Sequence, residues 1–221
     1  SILAIASILV RVMGMIYRIP MTAIIGDKGN GFYSYAYSVY TILLLLSSYS
    51  LPLAVSKMVS AKAQLGQWRN VKRVFICAIA FAIGIGTTFG LIVLIGAQFF
   101  TRVFFHSELA AIALRFMAPT ILIMALLGVF RGFFQGKRTM IPTAVSQIIE
   151  QVVNAIVSVA ASYLFMKWNA DSLQQAAWGA AGGTLGTCLG AASALLLVMF
   201  VYWLYRPVQA KLEKKDVTGN L

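Results

Sequence analysis

Two arginines, Arg11 and Arg18, lie inside the first long apolar run of the 221-residue chain. They are seven residues apart, and at 3.6 residues per turn this spacing places both on one face of a helix, two turns apart. An arginine near the centre of a bilayer costs roughly 2.5–3.5 kcal/mol on insertion scales, so it should face a bundle interior or a watery cavity and meet an anion. The pair therefore predicts an anion-binding surface. The alternative is that Arg18 snorkels to the outer interface while Arg11 pairs with a neighbouring helix.

A second polar pattern recurs at steps of three and four residues in the run 141–166. Glu150 lies near its middle, with Gln147 and Asn154 about one turn to either side. A lipid-facing helix does not tolerate such a stripe, so the run predicts a helix that faces the protein interior. Gln147, Glu150 and Asn154 are candidate substrate-binding residues. Glu150 can pair with an arginine of the first helix, bind a proton or cation during transport, or join the other stripe residues, Thr143, Ser158 and Ser162, in hydrogen bonds between helices.

The runs that carry these residues indicate a helical membrane protein. The chain is 60% hydrophobic and 11% charged, whereas soluble domains carry about a quarter charged residues. Six runs reach the ~20 residues that a helix needs to cross a bilayer. We predict an all-α, polytopic membrane protein with a six-helix transmembrane domain over 1–205 and a basic cytoplasmic tail or linker over 206–221. The predicted helices cover 2–25, 33–56, 71–98, 109–134, 141–166 and 176–205.

Basic side chains are unequally divided between the two sets of helix connections. Lys28, Arg102 and Lys167 lie on one side, and twelve cations lie on the other. Because cytoplasmic loops are enriched in Lys and Arg, this bias predicts a multi-pass protein of the bacterial cytoplasmic membrane with both termini inside. Insertion topology and anionic lipid also account for the formal charge of +12, so we expect membrane lipid and no nucleic acid as a partner. The twelve cations are Lys57, Lys62, Arg69, Lys72, Arg73, Arg131, Lys137, Arg138, Arg206, Lys211, Lys214 and Lys215.

Two further patterns have a packing interpretation. Gly182, Gly186 and Gly190 are spaced four apart, which lets another helix approach backbone to backbone. A set of tyrosines at helical spacing near the outer end of the second helix predicts an aromatic belt at the membrane interface, with sugar stacking as the alternative. These are Tyr33, Tyr37 and Tyr40.

Enzyme chemistry has little support in the sequence. Neither an HExxH motif nor a GxSxG elbow occurs, and the six acidic residues are scattered. Membrane phosphotransferases need a dense acidic metal motif, which the spacing of these acids does not provide. We therefore expect a protein that is not an enzyme and that has no metal site and no cofactor.

Five short motifs stand out in the chain: RVMGMIYRIP at 11–20, IGDKGNGFY at 25–33, LPLAVSK at 51–57, RGFFQG at 131–136 and PTAVSQIIEQ at 142–151. Together they resemble the polysaccharide biosynthesis branch of the multidrug/oligosaccharidyl-lipid/polysaccharide exporter superfamily. Within that branch the chain is similar to the stage V sporulation protein B group and to MurJ-type lipid II flippases, which move undecaprenyl-linked sugars outward. The resemblance covers most of the chain, and the first helix is the most specific match.

This resemblance implies a fold of two six-helix lobes around a cavity that opens alternately to either side. The six helices here would be one lobe, and the second lobe of the same polypeptide would be its partner; a homodimer of half-proteins is the alternative. The implied function is a flippase for a lipid-linked oligosaccharide, with Arg11 and Arg18 holding the substrate diphosphate. The other functions to weigh are a cation-coupled drug exporter of the same superfamily, whose cavity should be acidic, and a non-transporting scaffold for wall-synthesis enzymes.

Overall fold

The computed structural model describes residues 2–47 and 49–217, which form six helices and no strand. The all-α class is therefore confirmed. Five segments of the described chain are long and apolar enough to cross a membrane, and the first of them runs from Ile2 to Gln64. The protein is a multi-pass helical membrane protein. Its helices are α1 (Ile2–Ser47), α2 (Leu51–Gln64), α3 (Trp68–Phe105), α4 (Ala110–Gly136), α5 (Ile141–Trp168) and α6 (Gln175–Glu213).

The prediction of six separate membrane-spanning helices differs slightly from the structure, because no loop separates the first two predicted helices. α1 continues through both, and its one internal non-helical residue is Gly26, with φ 68° and ψ −178°. Essentially only glycine adopts this backbone conformation. Arg11 and Leu44 lie on opposite sides of Gly26 yet line one cleft. The chain therefore reverses direction at Gly26, and the two limbs of α1 lie side by side.

The end of the second predicted helix also differs from the expectation. The second limb of α1 ends at Ser47, and α2 starts at Leu51 with a proline in its first turn, where proline is tolerated. Ser48, inside the predicted 33–56 helix, lies outside the described residues. α2 has 14 residues, about 21 Å, so it is too short to cross a ~30 Å hydrocarbon core on its own.

α4 occupies the centre of the bundle and is buried along most of its length. At one end it joins a core with Met21, Tyr33 and Leu114. At the other end, Leu127 and Phe133 of α4 pack with residues of α2 and α3. The bundle thus surrounds α4 and leaves the first limb of α1 largely exposed at one side.

The glycines of α6 pack against α5, as their spacing predicts. A Cβ atom at Gly186 would lie 2.6 Å from the backbone nitrogen of Ser158, and one at Gly182 would lie 2.6 Å from the carbonyl carbon of Ala161. Ser162 Oγ donates to the Gly179 carbonyl at 2.9 Å across the same contact. Small residues and hydroxyl donors commonly join helices in this way within membranes.

The three basic connections meet at one end of the bundle. Lys72 pairs with Glu213 at 3.4 Å, and Lys137 lies between the Trp68 and Tyr205 rings, with its ammonium donating to Tyr205 Oη at 2.6 Å. Desolvation lowers the pKa of Lys137 to about 8, although Glu213 opposes this change.

The far end of α6 extends beyond the predicted boundary. The helix runs to Glu213, so residues 206–213 continue it. The division into a transmembrane domain over 1–205 and a tail over 206–221 stays a prediction, and its residues 1 and 218–221 lie outside the described ranges.

Candidate substrate cleft

An open cleft of ≈ 730 Å³ lies between the two limbs of α1 and the inner faces of α5 and α6. We call it the arginine cleft. It brings together four of the five residues that the sequence nominated, since Arg11, Arg18, Glu150 and Asn154 all line it. Its other polar lining residues are Tyr17, Tyr33, Tyr37, Tyr40, Thr41, Tyr49, Gln151 and Thr187.

The two arginines of the first limb share this cleft because their seven-residue spacing repeats the helical face. Both side chains are exposed within the lobe, and neither forms an ion pair with a carboxylate of the described residues. The Arg18 guanidinium carbon lies 5.9 Å from the centre of the Tyr33 ring, a distance typical of cation–π contacts. Arg18 therefore lines the cleft beside an aromatic ring.

The tyrosines of the second limb also belong to the cleft. Tyr33 and Tyr40 are each only 4% exposed, and Tyr37 stacks on Tyr33 with 5.9 Å between ring centres. The aromatic-belt prediction is wrong for Tyr33 and Tyr40, because the reversal at Gly26 turns this face of the helix toward the first limb, whereas Tyr37 is 44% exposed and lines the cleft.

Asn154 connects α5 to the first limb of α1. Its side-chain nitrogen donates to Tyr17 Oη at 3.3 Å, and Ser158 Oγ donates to Asn154 Oδ1 at 2.8 Å. These contacts orient the amide toward the cleft. The polar stripe predicted on this helix therefore serves two purposes: Ser158 joins α5 to α6, and Asn154 lines the candidate site.

A smaller pocket of ≈ 270 Å³ adjoins the arginine cleft, and we call it the inner pocket. Arg11 and Glu150 line both cavities. Gln147, the fifth nominated residue, lines the inner pocket and is absent from the lining of the arginine cleft. Its Oε1 atom is buried and has no hydrogen-bond partner among the described residues. The inner pocket is thus the polar end of the candidate site.

Glu150 pairs with Arg131 and does not pair with an arginine of the first helix. Arg131 Nη2 lies 2.7 Å from Glu150 Oε2, and Arg131 Nε donates to Ser146 Oγ at 2.9 Å. Counting Arg131 among the loop cations was wrong, because it lies inside α4 and is 9% exposed. The short turn between α4 and α5 sets the two helices antiparallel with Arg131 facing Glu150.

Sequence reasoning missed Arg131 as a site residue and gave the tyrosines a site role only as the sugar-stacking alternative. The signal for Arg131 was its position inside the predicted fourth helix, where a charged residue needs a partner. For the tyrosines the sequence left both interpretations open, because helical spacing alone does not distinguish a lipid-facing surface from a cleft-facing one.

The charge balance of the site favours an anion. Arg131 neutralises Glu150, so the positive charges of Arg11 and Arg18 remain without a described acidic partner. Guanidinium groups match phosphate geometry with paired donors. Tyr37, the exposed member of the tyrosine set, offers a flat apolar face and a hydroxyl group in the same cleft. This arrangement is suited to an anionic group attached to a polar, ring-containing body.

The chain is similar to several curated membrane proteins of Bacillus subtilis (strain 168). It is 28% identical to "Lipid II flippase MurJ" over 231 residues, which cover 100% of this chain and 42% of that protein. It is 27% identical to "Stage V sporulation protein B" over 205 residues, which cover 93% of this chain and 38% of that protein. The chain therefore spans about 40% of the length of these relatives.

A solved structure shows the same fold. The crystal structure of a MATE mutant matches with a TM-score of 0.68 and 16% sequence identity, over 92% of this chain and 44% of that one. The chain thus has the arrangement of helices found in part of that protein. The family model described as "Polysaccharide biosynthesis protein" matches residues 1–221, and the chain belongs to that family.

Proposed function

We propose that this chain forms the substrate-handling lobe of a flippase that moves an undecaprenyl-diphosphate-linked glycan across the bacterial cytoplasmic membrane by alternating access. Arg18 and Arg11 hold the diphosphate, and Glu150, Asn154 and Gln147 contribute to the polar surface that the glycan meets. The prenyl tail stays in lipid. A second lobe of the same polypeptide completes the cavity, and both termini of the lobe lie in the cytoplasm.

The observation that carries this proposal is the arginine cleft itself. It is open, it is lined by two arginines that have no acidic partner among the described residues, and its third charged residue, Glu150, is held by Arg131. A cavity with this charge attracts a lipid diphosphate. The ring of Tyr37, which is 44% exposed and lines the cleft, provides contact surface for a sugar without a further charge.

The relatives support the same substrate class. One is named a lipid II flippase, and the matching family model is described as a polysaccharide biosynthesis protein. Because the chain covers less than half of each relative, the transported molecule is inferred from the cleft together with these names.

Two other functions make different predictions. A cation-coupled drug exporter needs an acidic group in its cavity that is free to bind a cation. The one carboxylate that lines the cleft in the described chain is paired with Arg131. A scaffold that recruits wall-synthesis enzymes through its basic end needs no cleft arginine. Removal of a cleft arginine therefore separates the flippase from both alternatives.

The test is complementation of a lipid II flippase-depleted bacterium by the full-length protein. We expect the wild type to restore growth and Arg18→Ala to abolish rescue at an equal level in the membrane. Arg115→Ala is the matched control, because Arg115 is an exposed arginine of α4 that does not line the cleft, and it should rescue fully.

Each other outcome has a definite meaning. Rescue by Arg18→Ala would show that Arg18 does not hold the substrate. Absence of rescue by abundant, correctly inserted wild type would contradict lipid II as the substrate and leave another lipid-linked glycan, the drug exporter or the scaffold. Transport assays with purified protein and other lipid-linked glycans would then separate the first of these from the other two.

A further inference from the structure

A third cavity lies on the face of α2 next to the one that contacts α4, and Val55 belongs to both faces. It is a groove of ≈ 580 Å³ between α2 and α3, and we call it the α2–α3 groove. Its wall is apolar for most of its length, and two cations and Asn70 stand at one end. The residues that line it are Ser50, Leu51, Ala54, Val55, Met58, Lys62, Asn70, Arg73, Val74, Cys77, Ala78 and Phe81.

The two sides of α2 are packed very differently. Toward α4, glycines bring the backbones together, so that a Cβ atom at Gly136 would lie 2.7 Å from the Ser56 carbonyl oxygen and one at Gly128 would lie 3.1 Å from Pro52 Cγ. Toward α3, the same helix leaves the groove open. α2 is therefore fixed on one side and lacks side-chain partners along part of the other.

The groove is graded from polar to apolar along the bundle axis. Lys62 lies in the last turn of α2 and Arg73 in the second turn of α3, so both cations lie at the basic end. Phe81 lies eight residues beyond Arg73 on α3, about 12 Å deeper at 1.5 Å per residue. This length is close to the ~15 Å half-thickness of a bilayer's hydrocarbon core.

The charge of the groove is uncompensated. Neither Lys62 nor Arg73 forms an ion pair with an acid in the part of the chain that the structure describes, and no Asp or Glu lines the groove. Lys72, which neighbours Arg73 in sequence, is by contrast paired with Glu213. An occupant must therefore present an anionic head to Lys62 and Arg73 and an apolar chain to Val74, Ala78 and Phe81.

We propose that the α2–α3 groove is a binding site for an anionic phospholipid of the phosphatidylglycerol type. The phosphate and its headgroup contact Lys62, Arg73 and Asn70, and one acyl chain fills the space between α2 and α3. The lipid supplies the packing partner that α2 lacks on this side. This site is separate from the arginine cleft and does not depend on the proposed function.

The first experiment compares phosphatidylglycerol with phosphatidylcholine by native mass spectrometry of the full-length protein in detergent. One basic side chain at a membrane surface favours an anionic lipid by about fivefold. We expect phosphatidylglycerol to be retained at least about fivefold better by the wild type. The double variant Lys62→Gln/Arg73→Gln should lose this preference.

A matched control double variant changes the charge equally elsewhere. Lys57→Gln/Arg206→Gln removes one exposed lysine from α2 and one exposed arginine from α6, neither of which lines the groove, and it should keep the preference. Ala54→Phe fills the groove while leaving both cations, so it should lower retention of both lipids.

A photoactivatable acyl-chain phosphatidylglycerol then maps the occupant in nanodiscs. We expect crosslinked peptides that contain residues 50–58 and 74–81. The proposal is overturned by an absence of lipid preference in the wild type, by equal loss in both double variants, by unchanged retention in Ala54→Phe, or by crosslinks confined to other helices. Crosslinks only elsewhere would indicate that another part of the full-length protein covers the groove.

Discussion

At the scale of single residues, the site depends on which charges are paired. Arg131 satisfies Glu150 and leaves Arg11 and Arg18 available to an anion. The partner of Glu150 comes from the neighbouring α4, although Arg11 lines the same inner pocket. The cleft is therefore positively charged, because its carboxylate is neutralised by Arg131 and its two arginines are not neutralised by a described acid.

The ion pair between Arg131 and Glu150 should be revealed by a double-mutant cycle. Arg131→Met leaves a poorly solvated carboxylate, and Glu150→Gln leaves a poorly solvated guanidinium. We expect each single change to lower stability by no more than about 3 kcal/mol, the lower end for breaking a fully buried pair. The double variant should cost less than the sum of the two.

The measurement for this cycle is the thermal unfolding midpoint of the purified protein in detergent. Ser193→Ala is a control on α6, since Ser193 bonds only to its own helix, at the Gly190 carbonyl, and it should change the midpoint little. Strictly additive losses in the cycle would contradict a direct pairing.

At the scale of elements, the reversal of α1 brings the tyrosines to the arginines. The Gly26 backbone lies in a region that costs other residues about 1–3 kcal/mol, and a Cβ atom there would meet nothing within 4 Å. Gly26→Ala should therefore lower stability through backbone strain alone. Gly31→Ala is the matched control, because Gly31 is helical and also has open space.

The readout for the Gly26 pair is again the thermal midpoint in detergent, together with binding of a soluble diphosphate probe. A lower midpoint in Gly26→Ala and an unchanged one in Gly31→Ala are expected. Equal midpoints for the two variants would show that the limbs of α1 do not need the reversal at this residue.

The contact between α5 and α6 offers a second test at this scale. Gly186→Ala places a methyl group 2.6 Å from the Ser158 nitrogen, and overpacking of this kind costs about 1–3 kcal/mol. Gly84→Ala is the matched control, since nothing lies within 4 Å of that position in α3. We expect the yield of monodisperse protein to fall only for Gly186→Ala; a fall for neither would mean that the helices separate at little cost.

At the scale of the whole molecule, the basic connections collect at one end of the bundle, next to the α2–α3 groove. The positive-inside bias predicts that this end faces the cytoplasm. Single cysteines at exposed Thr139 and Asp171, introduced as Thr139→Cys and Asp171→Cys in a cysteine-free background, report the two ends.

A membrane-impermeant maleimide should label Asp171→Cys in intact cells and Thr139→Cys only after permeabilisation. Labelling of both positions in intact cells would indicate leaky membranes and is checked with a cytoplasmic marker. If Thr139→Cys is labelled in intact cells, Asp171→Cys is not, and the cytoplasmic marker stays unlabelled, the proposed orientation is reversed. The basic end of the bundle would then face the outside of the cell.

The sequence by itself determined the class of the protein and nominated most of the charged and amide residues that line the candidate cleft. Long apolar runs exclude a soluble fold because water cannot solvate them, and the spacing of Arg11 and Arg18 repeats the helical period. Gln147, Glu150 and Asn154 likewise lie where the period of α5 places them. These properties are local, so they can be read along one helix.

The tertiary structure decided which surfaces meet. It brought the tyrosines into the cleft, assigned Arg131 to Glu150, placed Gln147 in the inner pocket and joined the first two predicted helices at Gly26. These outcomes depend on how helices pack and rotate against one another. A helical period defines a face but carries no information about whether lipid, another helix or a cavity lies opposite it.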